Sequence, residues 1–496
     1  MQGHALSDIK RGKLASFQIQ EQTMQVNPPS FLEERFEAQR QAFAAESNPP
    51  LHVRMDRLNR LLALMENHES DFVRAIDADF GGRSAHETRI AELFVVRAGI
   101  RHARKHLKHW MSLQRVATSL HFRPGFNRLL RQPLGVIGIV SPWNYPIQLS
   151  LGPALAALAA GNRVLLKPSE LTPRFSELLD HLVSASFAPD ELSVVSGGVD
   201  VGEAFTRLPF DHLFFTGSTH VGRQVAQAAA ANLTPVTLEL GGKSPAIIDA
   251  SCDIPAAVAS IAYGKFLNAG QTCIAPDYLL VPAGLAESIA DQLKAAITRL
   301  YPTLISNPDY TAIISTRLRE RLLAILQEAR DGGARIVEVN PGREHFDETT
   351  RKFPPTLVVG AAASSRLMRE EIFGPLLPII EYDGLDQAIA RVNRGDRPLA
   401  LYWFGRSTVN RDRVLNETVS GGVTINDCLW HLAQEAQPFG GVGPSGMGAY
   451  HGAWGFRTFS KEKPVFYQAR LNGTRLFHPP YGKTFDLMLR LIKRIT

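Results

Sequence analysis

Short unbroken apolar runs alternate with amphipathic stretches through the middle of the chain, and this alternation predicts its architecture. Val136-Ile137-Gly138-Ile139-Val140, Arg163-Val164-Leu165-Leu166, Leu192-Ser193-Val194-Val195 and His212-Leu213-Phe214-Phe215 are too short for helices and mostly apolar on both faces. Each reads as a buried strand, and the Ala/Leu-rich segment from Gln148 to Ala160 reads as the helix between the first two. Strands separated by helices indicate a parallel, doubly wound α/β sheet. A second α/β region is expected from near Gly241 to about Gly421, with strands at Tyr278-Leu279-Leu280-Val281 and Leu377-Pro378-Ile379-Ile380 and helices over 283–300 and 316–329. Two such lobes would bring their strand-end loops together around a cleft.

The flanks read differently. Leu58, Leu61, Leu62 and Met65 recur at helical spacing, so 31–108 is expected to be helical, broken near Gly81-Gly82. Extended stretches around Pro124-Gly125 suggest a projecting hairpin arm over 116–132. The first 26 residues lack the apolar core of an export signal and read as a loosely ordered extension. Near the other end Phe485, Met488, Leu489, Ile492 and Ile495 share one face of a basic amphipathic helix too short to span a bilayer. That face suits packing on the protein or a partner subunit, with peripheral contact to a membrane surface as the alternative.

Composition adds little until the cysteines are counted. A chain of 496 residues with 45% hydrophobic and 21% charged residues is an ordinary globular protein of two to four domains at roughly 150 residues each. Three cysteines are too few for a disulfide scaffold or a metal framework, so free thiols in a reducing, cytoplasmic setting are expected and no metal site is. The net charge of +6 is concentrated at Arg101–His109, which reads as a solvated helix face. No RNA-binding aromatic signature accompanies it, and no nucleic-acid partner is expected.

Four features carry candidate chemistry. Gly217-Ser218-Thr219-His220-Val221-Gly222 joins a strand to a helix start, where free N–H groups favour phosphate, although a plain tight turn has the same look. Lys167 and Glu170, after the preceding strand, could bond two ribose hydroxyls, or Ser169 could simply cap a helix. Cys273 stands among small residues in Gly270-Gln271-Thr272-Cys273, where a substrate could approach its sulfur. Glu239 lies in an apolar strand followed by Gly241-Gly242; it is either a desolvated general base or the ion-pair partner of Lys243. Cys252 and Cys428 have no such setting and read as small core residues.

Together with Pro142-Trp143-Asn144-Tyr145-Pro146, Leu238-Glu239-Leu240-Gly241-Gly242-Lys243 and Glu371-Ile372-Phe373-Gly374-Pro375, these motifs resemble the ordered series of the NAD(P)-dependent aldehyde dehydrogenases from about Ser30 to Val465. The stretches Gln271–Tyr278 and Pro438–Gly452 are similar to the class 3 branch. Within it, His478-Pro479-Pro480-Tyr481-Gly482 and the helix that follows resemble bacterial coniferyl aldehyde dehydrogenases. Lys461 departs from the branch, which commonly has histidine there.

The resemblance implies a Rossmann-like cofactor-binding domain over 27–238, a catalytic domain over 239–425, a small β oligomerisation arm at 116–132 and a bridging, oligomerising segment over 426–496, in a homodimer. It makes Cys273 the nucleophile, Glu239 the base and Asn144 the side-chain half of an oxyanion hole. Trp143, Lys167, Glu170, Gly217, Ser218, Gly222, Glu371 and Phe373 become the cofactor contacts, with NAD expected and NADP allowed. The implied reaction takes an aldehyde, of cinnamyl type on the narrower match, to its acid through a thiohemiacetal and a thioester. Oxidation of medium- or long-chain aliphatic aldehydes and a cofactor-independent thiol esterase acting on activated esters are the alternatives.

Overall fold

The computed structural model of the protein describes residues 30–347 and 350–493. The expected extension over 1–26 and Ile495 lie outside them. The apolar runs become the inner strands of two sheets. The first has the order Gly446–Met447, Val236–Glu239, His212–Thr216, Val136–Val140, Arg163–Lys167, Leu192–Val194, parallel except for the Gly446–Met447 edge. The second runs Arg335–Glu338, Thr356–Val359, Leu376–Tyr382, Tyr278–Pro282, Pro245–Ile248, Ala400–Phe404, Gly422–Ile425, with only Arg335–Glu338 antiparallel.

Why the strands lack polar alternation is visible in the packing. Ile137, Ile139, Val164 and Leu166 face one apolar core while Val136, Leu165, Leu213 and Phe215 face another, so both faces of the first sheet are covered. Ala246, Ile248, Leu279 and Val281 of the second sheet enter that same first core, and Ile247, Leu280, Leu401 and Trp403 face outward into a third. One continuous core therefore joins the two lobes. In the first sheet the chain fills one side of Val136–Val140 and then crosses to His212–Thr216 on the other, which opens a crevice beyond the strands' carboxyl ends.

The arm is more than a hairpin. Gln114–Val116 pairs with Phe126–Pro133, and Ser460–Tyr467 adds a third strand, running from Ser460 opposite Pro133 to Tyr467 opposite Phe126. The Arg101–His109 run lies on the Phe94–Trp110 helix, whose Ile100, Ala103, Leu107 and Trp110 are buried while Arg101, Lys105, Lys108 and His109 are exposed. At the expected break, Gly81 takes a left-handed φ of 67°. The Lys483–Ile492 helix leaves Leu487 and Leu489 exposed. No described helix is long and apolar enough to cross a membrane.

Candidate active site

Cys273 sits on a loop whose backbone is bent by three successive left-handed residues, Asn268 (φ 53°), Ala269 (φ 51°) and Gly270 (φ 74°). Such a conformation is costly for Asn and Ala and must be held from outside. The buried Glu87 carboxylate accepts the Asn268 N–H at 3.1 Å and the Thr311 hydroxyl at 2.7 Å. Gln271 spans the loop, donating to the Asn268 and Ala312 carbonyls at 3.0 Å and accepting from the Ile314 N–H. At Gly270 a side chain would meet the Gly374 carbonyl at 2.4 Å, so glycine is required there.

The Asn144 loop is tied to the cysteine loop. Asn144 donates from Nδ2 to the Gln271 carbonyl at 3.1 Å, which occupies one N–H of its amide and leaves the second. Its own carbonyl accepts from Arg83 at 2.7 Å and Asn268 at 3.0 Å. Arg83 is wholly buried, ion-paired to Glu92 at 3.0 Å and laid over the Phe80 and Tyr145 rings. Glu92 in turn accepts the Ile147 and Gln148 N–H groups at the start of the Pro146–Ala160 helix. Burial outweighs Arg83 and lifts the Glu92 carboxyl to about 7. Arg83→Met would strand the Glu92 carboxylate and free the Asn144 carbonyl. We expect it to lower unfolding stability by about 3–5 kcal/mol in urea denaturation, with a second change, Glu92→Gln, recovering part of the loss.

Glu239 ends the Val236–Glu239 strand and is 2% exposed, yet neither carboxylate oxygen has a hydrogen-bond partner. The alternative, an ion pair with Lys243, is not formed. Lys243 instead pairs with Asp277 and donates to the Leu367 and Glu370 carbonyls at 2.9 Å. Burial pushes the Glu239 carboxyl well above its ordinary value. Cys273 is raised to about 12 by burial first, then by Glu371 and Glu239, against the N–H groups of Cys273 and Ile274 that favour the thiolate. The free protein therefore holds a neutral thiol. Only the thiolate is alkylated, so iodoacetamide labelling of Cys273 is expected to rise about tenfold per pH unit between about pH 7 and about pH 9, and a plateau in that range would contradict this charge balance.

Two cavities of different size and lining meet at Cys273, Glu239, Thr216, Leu149 and Leu240. One is an open cleft of ≈ 1030 Å³ lined by Trp143, Asn144, Lys167, Glu170, Gly217, Ser218, Glu371 and Phe373. Gly222 alone among the expected contacts does not reach it. A side chain there would strike Leu240 at 2.6 Å, so close packing of the Thr219–Ala230 helix on Leu240 requires glycine at this position. Ser218 caps the Thr219–Ala230 helix by accepting from Val221, whereas Ser169 accepts from Leu171 and caps none, because the next helix starts at Pro173 after Thr172. Lys167 is 3% exposed, donates to the Pro168 and Gly197 carbonyls and lies 3.8 Å from Glu170. The second cavity is apolar, with Ile90, Val95, Tyr263, Leu267, Trp430 and Phe439 in its wall.

The Glu371-Ile372-Phe373 segment is clamped by residues whose roles the motif reading missed. Asp277 accepts the Ile372 N–H at 2.9 Å, and Arg321 donates to the Glu371 and Ile372 carbonyls. Phe373 is thereby held at φ 52°, edge-on to Trp143 at 5.5 Å. Glu371 accepts the Gly242 N–H, and a side chain at Gly241 would lie 2.1 Å from its carboxylate; burial, then Asp277, raise it to about 8. Arg83, Glu87, Glu92 and Arg321 have no motif around them, and nothing local in the sequence marks them out. A dinucleotide fits the open cleft on these grounds: a capped helix start free of side chains at Gly217, a Lys–Glu pair at a strand end, and a raised carboxyl waiting at Glu371. Among the described residues no His, Cys, Asp and Glu cluster could hold a metal.

The chain belongs to the aldehyde dehydrogenase family, which it matches over residues 23–465. It is an NAD(P)-dependent aldehyde dehydrogenase by that membership and by its structural neighbours. It is 49% identical over 471 residues, 95% of this chain and 97% of the relative, to a probable coniferyl aldehyde dehydrogenase of Pseudomonas aeruginosa. The substrate-bound structure of Staphylococcus aureus AldH superposes with a TM-score of 0.88 at 38% identity, covering 93% of this chain and 99% of that one. A Bacillus cereus aldehyde dehydrogenase solved as an NAD+ complex gives a TM-score of 0.79 at 26% identity, covering 89% of each chain.

Proposed function

We propose that this protein oxidises a cinnamyl-type aromatic aldehyde such as coniferyl aldehyde to the carboxylic acid, with NAD+ as the preferred and NADP+ as the second acceptor. The observation that carries this reading is the junction at Cys273 and Glu239 of an apolar, aromatic-walled cavity with a larger cleft of dinucleotide size that carries Lys167, Glu170 and Glu371 in its wall. The name of the Pseudomonas aeruginosa relative supports the aromatic substrate.

In this reading the Cys273 thiol gives its proton to water in the cleft and the thiolate adds to the aldehyde carbon, with the developing oxyanion met by the free Asn144 N–H and the Cys273 backbone N–H. Bound in the cleft, NAD+ supplies the acceptor for the hydride. Lys167 and Glu170 hold the adenosine ribose, and the Glu170 carboxylate disfavours a 2′-phosphate. Gly217 and Ser218 present the helix start to the pyrophosphate, Glu371 holds the nicotinamide ribose, and Phe373 with Trp143 walls the nicotinamide end. The thioester left on Cys273 is hydrolysed by water that Glu239 deprotonates, a task suited to a buried carboxylate with no partner. The domains are those of the motif reading: cofactor binding over 27–238, catalysis over 239–425. The protein works in the cytoplasm as a homodimer built through the arm and the segment after 426, and the exposed Leu487 and Leu489 face offers the tail's contact with a partner or a membrane surface.

A panel of aldehydes and activated esters, measured as kcat/KM with NAD+, NADP+ and no cofactor, tests this. Coniferaldehyde with NAD+ is expected to exceed octanal by at least about tenfold, the difference that roughly 1.4 kcal/mol of pocket selectivity would produce. A preference for octanal, or faster ester hydrolysis without cofactor, would favour the aliphatic or esterase reading.

A further inference from the structure

We propose that the protein has its own proton exit, leading from Glu239 past Tyr450 into a small buried cavity and out to the surface at Glu435; the inference rests on the base role proposed for Glu239. Gln148 and Tyr450 wall the apolar cavity that holds Glu239 and Cys273, and the same two residues wall a third, smaller cavity of ≈ 30 Å³ behind them. His451 and Glu435 complete the polar part of the smaller cavity's wall.

Gln148 Nε2, Tyr450 Oη and His451 Nδ1 are buried, and none has a hydrogen-bond partner. Leaving three such atoms dry would cost about 1–3 kcal/mol each, whereas a cavity needs only roughly 10–15 Å³ to hold a water. The space therefore suits ordered water bonded to these atoms. His451 also has φ 82°, a strained conformation for a non-glycine residue, with its ring 4.4 Å from Tyr450 and 5.4 Å from Phe439. Glu435 is partly exposed, so the route has an outlet. Its Oε1 lies against Gly99, and His102, one turn along the same helix, is partly exposed beside Gly452. The titratable groups facing the route are Glu239, Cys273, Tyr450, His451, His431, Glu435 and His102.

Hydrolysis of the thioester consumes one water, forms the acyl C–O bond and breaks the C–S bond; of the two protons freed as the carboxylate forms, the Cys273 sulfur regains one and the other is left on Glu239. Glu239 must release that proton before it can act again. Both cavities that open onto Glu239 are claimed by reactants, so release through the Tyr450 wall spares the enzyme from waiting for either to empty. The proton passes from Glu239 through water to the Tyr450 hydroxyl, which gives up its own; cavity water and His451 Nδ1 carry that to Glu435, while Gln148 positions the water. No group is oxidised or reduced along the route.

The test follows hydride formation and acyl-enzyme decay separately, by stopped flow and rapid quench, in the full chain with NAD+ and coniferaldehyde. Tyr450→Phe and Glu435→Gln are expected to slow acyl-enzyme decay on the order of tenfold, with a larger solvent isotope effect on that phase, and Glu435→Gln, outside both reactant cavities, to leave the hydride burst within about twofold. Glu435→Gln changes a partly exposed side chain without changing its shape, which keeps the test open should Tyr450→Phe misfold. Unchanged decay in Glu435→Gln, or equal losses in burst and decay, would overturn the route. Absence of any burst in the unsubstituted protein would instead overturn the proposed function, and this inference with it.

Discussion

Replacing Cys273 by alanine is expected to lower the rate of aldehyde oxidation by at least about 10⁴-fold, because no other group can form the covalent adduct that splits the reaction into two accessible steps. Neither remaining thiol can substitute. Cys428 is buried against Gly264 with its thiol raised further by burial, and Cys252 is half-buried on the turn before the Ile254–Phe266 helix; neither lines the two cavities that meet at Cys273. The substitution removes one sulfur from a loop held by Glu87, Gln271 and Asn144 rather than by Cys273, so the fold should survive with a loss of about 1 kcal/mol. Initial rates with coniferaldehyde and NAD+, together with the melting temperature, check both halves of this expectation. A folded Cys273→Ala protein that retains a tenth of the activity would refute the nucleophile.

Glu239→Gln is expected to act later in the cycle. Its amide cannot deprotonate water, so steady-state turnover should fall by about 10²–10⁴-fold while the first hydride burst is retained. The burst should approach one equivalent per active site, since the acyl group would remain on Cys273. In the unsubstituted protein the raised Glu239 carboxyl has a matching consequence. A carboxyl is an acid that is neutral below its pKa, so deacylation should quicken as pH rises through the raised value, in the same direction as thiolate formation at Cys273. Loss of burst and turnover together in Glu239→Gln would move Glu239 from thioester hydrolysis to the first step.

Much of this arrangement is legible in the chain because it is written locally. The runs at Val136–Val140 and His212–Thr216 are apolar on both faces, as strands buried between two cores must be, and the loops that follow them carry Asn144 and Gly217. Cys273 and Glu239 stand out because each is a reactive group in an apolar or small-residue setting. What escapes local reading depends on distant pairing. Ser460–Tyr467 joins the arm across more than three hundred residues, and Lys243, four positions from Glu239, turns instead to Asp277. Arg83, Glu87 and Glu92 belong to a helical region where charges usually face water; their burial against Asn144, Asn268 and the Pro146–Ala160 helix is visible only once the two lobes close on one core. Gly222 carries a constraint the motif does not spell out, since a side chain there would strike Leu240.

The central claim, aldehyde oxidation through a thioester on Cys273, is most directly tested by mixing the Glu239→Gln protein with NAD+ and coniferaldehyde and measuring intact mass, followed by peptide mapping. One acyl group on Cys273, appearing with the reduced cofactor and absent when NAD+ is withheld, is the predicted result. Reduced cofactor formed without any adduct, or an adduct found on Cys252 or Cys428, would contradict it.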